Sequence, residues 1–218
     1  MTFKTLWKIC EQNDLEKLKK QNRKKLKTHK QQLFYKCAVF NKFELAKWLY
    51  TLGDIDVNYQ KKINYYPNSE HLLTICGEYN YYDLAVWLIS KGTTVITENL
   101  AAIFAAGTHG NLELVKLFYR HGSPVIYFNQ RLNRELSVFE DSCRGSDSDK
   151  ALKVVQWLYT IYNPTETELK LLIKDYDNPN LYLPHIKKTE LYKWINHLIS
   201  TAADAYQMNK KLESLTQK

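Results

Sequence analysis

Apolar and polar positions between residues 30 and 162 follow a pattern that returns. Three segments align over their full length: CAVFNKFELAKWLY (37–50), CGEYNYYDLAVWLI (76–89) and AGTHGNLELVKLFY (106–119). A fourth, LKVVQWLY (152–159), matches their second half. The position held by Trp48, Trp87, Leu117 and Trp157 recurs at intervals of 39, 30 and 40 residues. A unit of roughly 30–35 residues joined by loops of unequal length gives such intervals.

Each unit predicts two short helices. The first carries an apolar residue (Phe34, Leu73, Ile103), followed three residues later by a small pair: Cys37-Ala38, Cys76-Gly77, Ala106-Gly107. Small side chains let one helix backbone approach the next. Asn41, Asn80 and Gly110 follow, residue types that tolerate the left-handed conformation ending a helix. The second helix shows a wide apolar stripe, with Phe43, Ala46, Leu49 and Tyr50 in one unit and Leu112, Val115, Phe118 and Tyr119 in another. Gly53, Gly92 and Gly122 stand where each second helix should stop. Trp48, Trp87 and Trp157 share one helical register, which predicts packing between adjacent units and not a platform for stacking bases.

These residues carry a resemblance. The run GNLELVKLFYRHGSPV (110–125) is similar to the second helix and exit of an ankyrin repeat, and Ala105-Ala106-Gly107 resembles the small-residue signature of that family's first helix. The likeness spans at least residues 30–162. Residues 4–21 add a degenerate first unit, with Leu6 and Ile9-Cys10 before Asn13 and Leu15 to Leu18 after it. One feature departs from the family. The Thr-Pro-Leu-His tetrapeptide that opens its first helix is replaced by Gln32 to Tyr35, His71 to Thr74 and Ala101 to Phe104. The hydrogen bonding that Thr and His supply there must come from elsewhere. In this the chain resembles the divergent ankyrin repeats of large DNA viruses, and sixteen tyrosines with many Lys and Asn fit an AT-rich coding genome. A HEAT- or TPR-like solenoid is the rival architecture. The Gly after each second helix and the Leu-Glu-Leu-Val-Lys core favour ankyrin.

The expected fold is therefore all-α: an ankyrin-like helical solenoid of about five to six degenerate repeats with a C-terminal helical cap. Residues 1–29 form a basic degenerate N-terminal repeat, 30–162 the clear repeats, and 163–218 a degenerate repeat plus cap. In the last region Thr165 with Glu168 is a capping-box pattern. Glu190 to Ile195 echoes the second-helix motif, placing Trp194 37 residues after Trp157. Terminal repeats cover an otherwise exposed apolar face and are atypical for that reason. Leu183 to Ile186 resembles the start of an F-box but is short and lacks an acid after its proline.

Charge changes the picture at one end. Residues 1–30 hold ten Lys and Arg against three acids, so +7 of the chain's net +8 lies there. Such a block attracts nucleic acid, an anionic membrane or an acidic protein, or simply keeps that end solvated. Cys10, Cys37, Cys76 and Cys143 form no C-x-x-C pair, no secretory signal opens the chain, and no run of 18 apolar residues occurs. Free buried thiols in a reducing, cytoplasmic setting are expected, that of a host cell where the viral resemblance extends so far. No membrane span is expected.

No zinc spacing, phosphate-binding loop or nucleophile elbow is present, and the six histidines are dispersed. The Arg144–Asp149 insertion offers too few ligands for a cation loop. The reading is a non-catalytic protein–protein interaction module, an adaptor or scaffold without cofactor, metal or small-molecule substrate. Its partner is a protein, and a host factor if the viral resemblance holds. In ankyrin arrays the concave surface of finger tips and first-helix faces does the binding. Lys36, Phe40, Ile75, Tyr79, Ala105 and His109 are the first-helix positions expected to point there. The finger at 54–68 supplies Tyr59, Tyr65 and Tyr66, and that at 123–134 supplies Tyr127, Phe128 and Arg131. For the first finger, rings that project and rings that fold back on the adjacent helices are both open. The alternative function is nucleic-acid or ribonucleoprotein binding through residues 1–30, with Arg23, Lys24, Lys25 and Lys27 making the contacts.

Overall fold

The computed structural model describes residues 2–59, 71–95, 101–129, 133–145, 148–177 and 189–201. These are mostly helical. In chain order they are α1 (Phe3–Glu11), α2 (Leu15–Lys19), α3 (Arg23–Val39), α4 (Phe43–Tyr50), α5 (Leu72–Tyr79), α6 (Tyr82–Ser90), α7 (Ala101–Thr108) and α8 (Leu112–Arg120). A hairpin of β1 (Ile126–Asn129) and β2 (Arg134–Ser137) leads to α9 (Val138–Cys143), α10 (Ser148–Tyr162) and α11 (Glu166–Asp177). Residues 190–201 form α12.

The expected turn residues adopt the expected conformation. Asn41, Asn80 and Gly110 have φ of 50°, 58° and 69°, and Asn13 joins them at 57°. The amide after each returns to the carbonyl five residues back: Asp14 to Ile9, Lys42 to Cys37, Tyr81 to Cys76 and Asn111 to Ala106, at 2.7–3.3 Å. This is the Schellman closure, which satisfies a carbonyl at the helix end. Gly92 (88°) and Gly122 (92°) end α6 and α8 the same way, with Thr93 donating to Leu88 and Ser123 to Phe118.

The helix starts use whatever polar group is at hand. His71 caps α5 through Nδ1, which accepts from the Leu73 amide at 3.4 Å. Burial holds the His71 pKa below its ordinary value, consistent with a ring that must stay neutral to accept. The predicted capping box forms: Thr165 N–H donates to Glu168 Oε2 at 2.7 Å, and Glu168 N–H to Thr165 Oγ1 at 3.3 Å.

Packing follows two rows. α1, α3, α5, α7 and α9 are each in contact with the next, and α6, α8 and α10 form a second row against them. Between the rows lie fully buried side chains from every segment, among them Leu33, Phe34, Leu45, Leu73, Leu88, Ile103, Leu114, Phe118, Phe139 and Leu158. Each such burial contributes about 1.5–3 kcal/mol before entropy is counted. The small pairs serve close approach. A Cβ on Gly77 would lie 2.6 Å from the Ala102 carbonyl oxygen of α7, so α5 and α7 meet backbone to backbone.

A third feature recurs along the second row. The Tyr50 ring lies edge-on to Trp87 (5.2 Å between centroids, 82°), Tyr119 to Trp157 (5.5 Å, 82°) and Tyr159 to Trp194 (5.5 Å, 81°). Where Leu117 replaces tryptophan, the position corresponding to tyrosine is Ile89, so ring matches ring and aliphatic matches aliphatic.

Three features depart from expectation. An antiparallel hairpin lies in the second finger of a chain expected to be all-α, with Tyr127 opposite Leu136 and Phe128 opposite Glu135. Alternation decides it: Tyr127 and Leu136 face inward, Phe128 and Glu135 outward. α3 runs unbroken through the 29/30 boundary, because Asn22 caps it by accepting from Lys24 and Lys25 N–H and nothing between interrupts it. Ile75 is buried, since α3 and α7 close over α5 from both sides.

Candidate functional site

Phe40, Tyr79 and His109 occupy one position in three successive units, just before the left-handed turn residue. There the helix ends and the side chain clears its neighbours. Phe40 is 56% and Tyr79 62% exposed, high for aromatic rings, and His109 is exposed. Tyr79 stacks on Tyr81 (5.7 Å, 24°), which fixes its ring at the end of α5. His109 is held by its own helix, Nδ1–H donating to the Ala105 carbonyl at 2.9 Å.

Tyr79 and His109 share an open groove of about 580 Å³, with Glu78 and Glu113 on its walls and Lys150 of α10 closing one side. Its floor is rigid. Asn111 Nδ2 donates to the Gly77 carbonyl at 2.6 Å, tying α8 to α5. Gly110 is needed twice over: its φ is positive, and a Cβ there would come within 2.4 Å of Lys150 Cβ. The groove presents a phenol, an imidazole, two carboxylates and an ammonium on fixed backbone. That set suits recognition of a mixed polar and aromatic surface.

The other expected binding residues are distributed differently. Lys36 is half-buried, its Nζ 4.7 Å from the Trp7 ring centroid and 5.7 Å from that of Phe3. Together with Tyr59 it lines a small cavity of about 170 Å³. Tyr59 folds back edge-on against Tyr35 (5.7 Å, 77°). Phe40 also touches Trp7 at 5.4 Å, so its inner edge steadies α1 while the outer edge faces solvent. Tyr127 packs edge-on against Phe104 (5.0 Å, 86°), whereas Phe128 on the other hairpin face is 56% exposed. Tyr65, Tyr66 and Arg131 lie outside the described residues; so do Leu183 to Ile186. Arg23, Lys24, Lys25 and Lys27 are all exposed in the first turns of α3.

Sequence reasoning missed two sets of residues. Glu78, Glu113 and Lys150 join the Tyr79–His109 groove, and Lys150 arrives from a distant segment that no local pattern announces. At a second groove, of about 470 Å³, the expected Arg23 and Lys27 are joined by Lys19, Trp48, Thr51 and Leu52, which the sequence reading had not brought to a site. The signal for it was in the repeat alignment: counting from Asn13 as from Asn41, the place of Tyr50 is held by Asn22 in the preceding unit.

The four thiols are free and buried. A hydrogen bond with Cys10 and burial push the Cys37 thiol far up, and burial alone does so for Cys76, so neither is poised as a thiolate. Among the described residues no three His, Cys, Asp or Glu side chains gather as metal ligands, and no helix is long and apolar enough to cross a membrane. No family model matches the chain, and no curated protein matches it.

Proposed function

We propose that the chain is an ankyrin-like array of five to six degenerate repeats with a C-terminal helical cap, and that it serves as a non-catalytic adaptor for another protein. The recurring Schellman turns, the two helix rows and the Tyr–Trp pairs between successive units support the architecture. One observation carries the function: Phe40 and Tyr79, at equivalent positions of adjacent units, hold aromatic rings more than half in solvent. A monomer gains nothing from that exposure, whereas aromatic anchors dominate protein interfaces. Tyr79 has in addition a groove beside it, with Glu78, His109 and Lys150 to hydrogen-bond a partner's rim.

In this reading a partner protein seats an apolar anchor against Tyr79 and aligns its polar groups on the groove walls. No bond is made or broken. If the viral resemblance extends to function, the partner is a host protein held away from its own ligands.

Affinity capture of the tagged chain from nuclease-treated lysate tests this. A protein retained by the unaltered chain should be lost with Tyr79→Ala combined with His109→Ala. Both side chains are exposed, so the variant should keep its helical spectrum and melting temperature. A folded variant that captures the same protein at the same level removes this groove from the interaction.

A further inference from the structure

The groove between α2, α3 and the end of α4 has a composition unlike the rest of the surface. Arg23 and Lys27 stand four residues apart on one face of α3, and Lys19 faces them from the end of α2. Trp48 and Leu52 make the apolar wall. Residues 17–30 contain eight Lys and Arg and no acid. Among the described residues, two carboxylates reach the cluster: Glu16 pairs with Lys19 at 2.7 Å, and Asp54 pairs with Lys30 at 2.9 Å and also feels Lys27. Within the described residues most of that positive charge has no carboxylate beside it. It is also badly placed for stability, since Arg23, Lys24 and Lys25 fill the first turn of α3, where the helix dipole is positive and no acid is present.

Trp48 makes this more than a charged surface. Its counterparts Trp87, Trp157 and Trp194 each receive the edge of a tyrosine from the preceding unit. Two helices before Trp48, α2 ends at Lys19 and supplies no such tyrosine, and among the described residues no aromatic ring is paired with Trp48. The indole packs on the core on one side and borders the groove on the other. The repeat therefore leaves an aromatic position unfilled and surrounds it with cations.

We infer that this groove binds single-stranded nucleic acid, with an unpaired base against Trp48 and the flanking phosphates on Lys19, Arg23 and Lys27. A cationic groove with an aromatic wall is the arrangement that takes single strands without sequence preference. A phosphodiester chain brings one charge per unit, which matches cations recurring along two helices better than the scattered carboxylates of an acidic peptide do. A duplex keeps its bases stacked and cannot offer one to a ring recessed between helices. This site is separate from the Tyr79 groove, so the two can fail independently.

The test uses the full chain and end-labelled oligouridine and oligothymidine of about twelve nucleotides, a length within the range one such site covers. Anisotropy is read between about 50 and 200 mM salt. Three results are expected. Arg23→Gln with Lys27→Gln, both exposed, lowers the slope of log affinity against log salt by about 1.4, roughly 0.7 for each phosphate no longer neutralised. Trp48→Leu weakens binding about tenfold or more with the slope unchanged. A 5-iodouracil oligonucleotide irradiated with the unaltered protein attaches to the peptide carrying Trp48, a readout that needs no variant to fold.

Equal affinity for duplex of the same length, an unchanged slope in the charge variant, or photo-attachment elsewhere overturns the assignment. So does a folded Trp48→Leu protein that binds as tightly as before. A Glu-rich, Tyr-bearing peptide that binds in a Trp48-dependent way while both oligonucleotides do not would give the groove to a protein partner and equally overturn it. Tyr79→Ala should leave oligonucleotide binding untouched.

Discussion

Trp48 and Trp87 hold the same place in adjacent units and have opposite surroundings. Both are half-buried, so exposure alone does not separate them. Trp87 is enclosed by the rings of Phe34, Phe43 and Tyr50 at 5.2–6.2 Å. Trp48 has Lys19, Arg23 and Lys27 across an open groove. What differs is the helix two places before each: α4 brings Tyr50 to Trp87, whereas α2 stops at Lys19 and brings no ring to Trp48. Two residues at equivalent places in similar segments are thus given different roles by what packs against them. Trp87, Trp157 and Trp194 each turn one side to a tyrosine, whereas the corresponding side of Trp48 borders the groove.

The same substitution at the two sites should expose that difference. Trp87→Leu removes a ring packed on three others and should cost about 2–3 kcal/mol, as large-to-small changes in enclosed sites do. Trp48→Leu gives up packing on its inner side only and should cost about 1 kcal/mol. Denaturant midpoints of the two variants check this. Equal losses would mean that the groove side of Trp48 is as well packed as the joint, and the comparison would break.

The joints themselves allow a finer test. A Tyr–Trp edge pair contributes ~0.5–1.5 kcal/mol beyond the area it buries. A double-mutant cycle on Tyr159 and Trp194, using leucine at each, should return a coupling in that range. The same cycle on Asn22 and Trp48 should return none. A null result at Tyr159 and Trp194 would reduce the recurring ring geometry to coincidence of register.

Much of this was legible in the sequence, and for a physical reason. Turn residues carry their own signal: Asn41, Asn80, Gly110, Gly92 and Gly122 were identifiable because few side chains tolerate positive φ. The Thr165–Glu168 box was equally local. The packing role of Trp87 and Trp157 could be read from their shared register, and that register also predicted the same for Trp48, whose outer side faces the groove instead. Alignment shows which residues are equivalent but not which neighbour each one meets. The outward direction of Phe40, Tyr79 and His109 was legible from the same register, whereas Ile75 was misplaced because burial between α3 and α7 depends on helices far along the chain. For Tyr59 projecting and folding back were both open, and Tyr127 was expected at a binding finger; each meets a ring of a first helix, Tyr35 or Phe104, that no local pattern names. Lys150 entered the Tyr79 groove for the same long-range reason.

The smallest effect bears on why the open end is kept as it is. Arg23, Lys24 and Lys25 sit at the positive end of α3, and a charge so placed is unfavourable by about 0.3–1 kcal/mol at low ionic strength. Replacing Arg23 and Lys24 with glutamine should therefore raise thermal stability slightly in dilute buffer. The gain should vanish by about 1 M salt, where the screening length falls to about 3 Å. By contrast Lys47→Gln, in the last turn of α4, removes an exposed pair with Glu44 at 3.0 Å and a cation–π contact with Phe43 at 4.1 Å, and should bring no gain and a loss of at most about 1 kcal/mol. A salt-dependent gain at α3 and none at α4 would mean that the basic turn costs the fold stability, so its retention calls for a ligand. If neutralising Arg23 and Lys24 instead destabilises the chain, the cations are holding the N-terminal unit together, and the open groove would need no ligand to explain it.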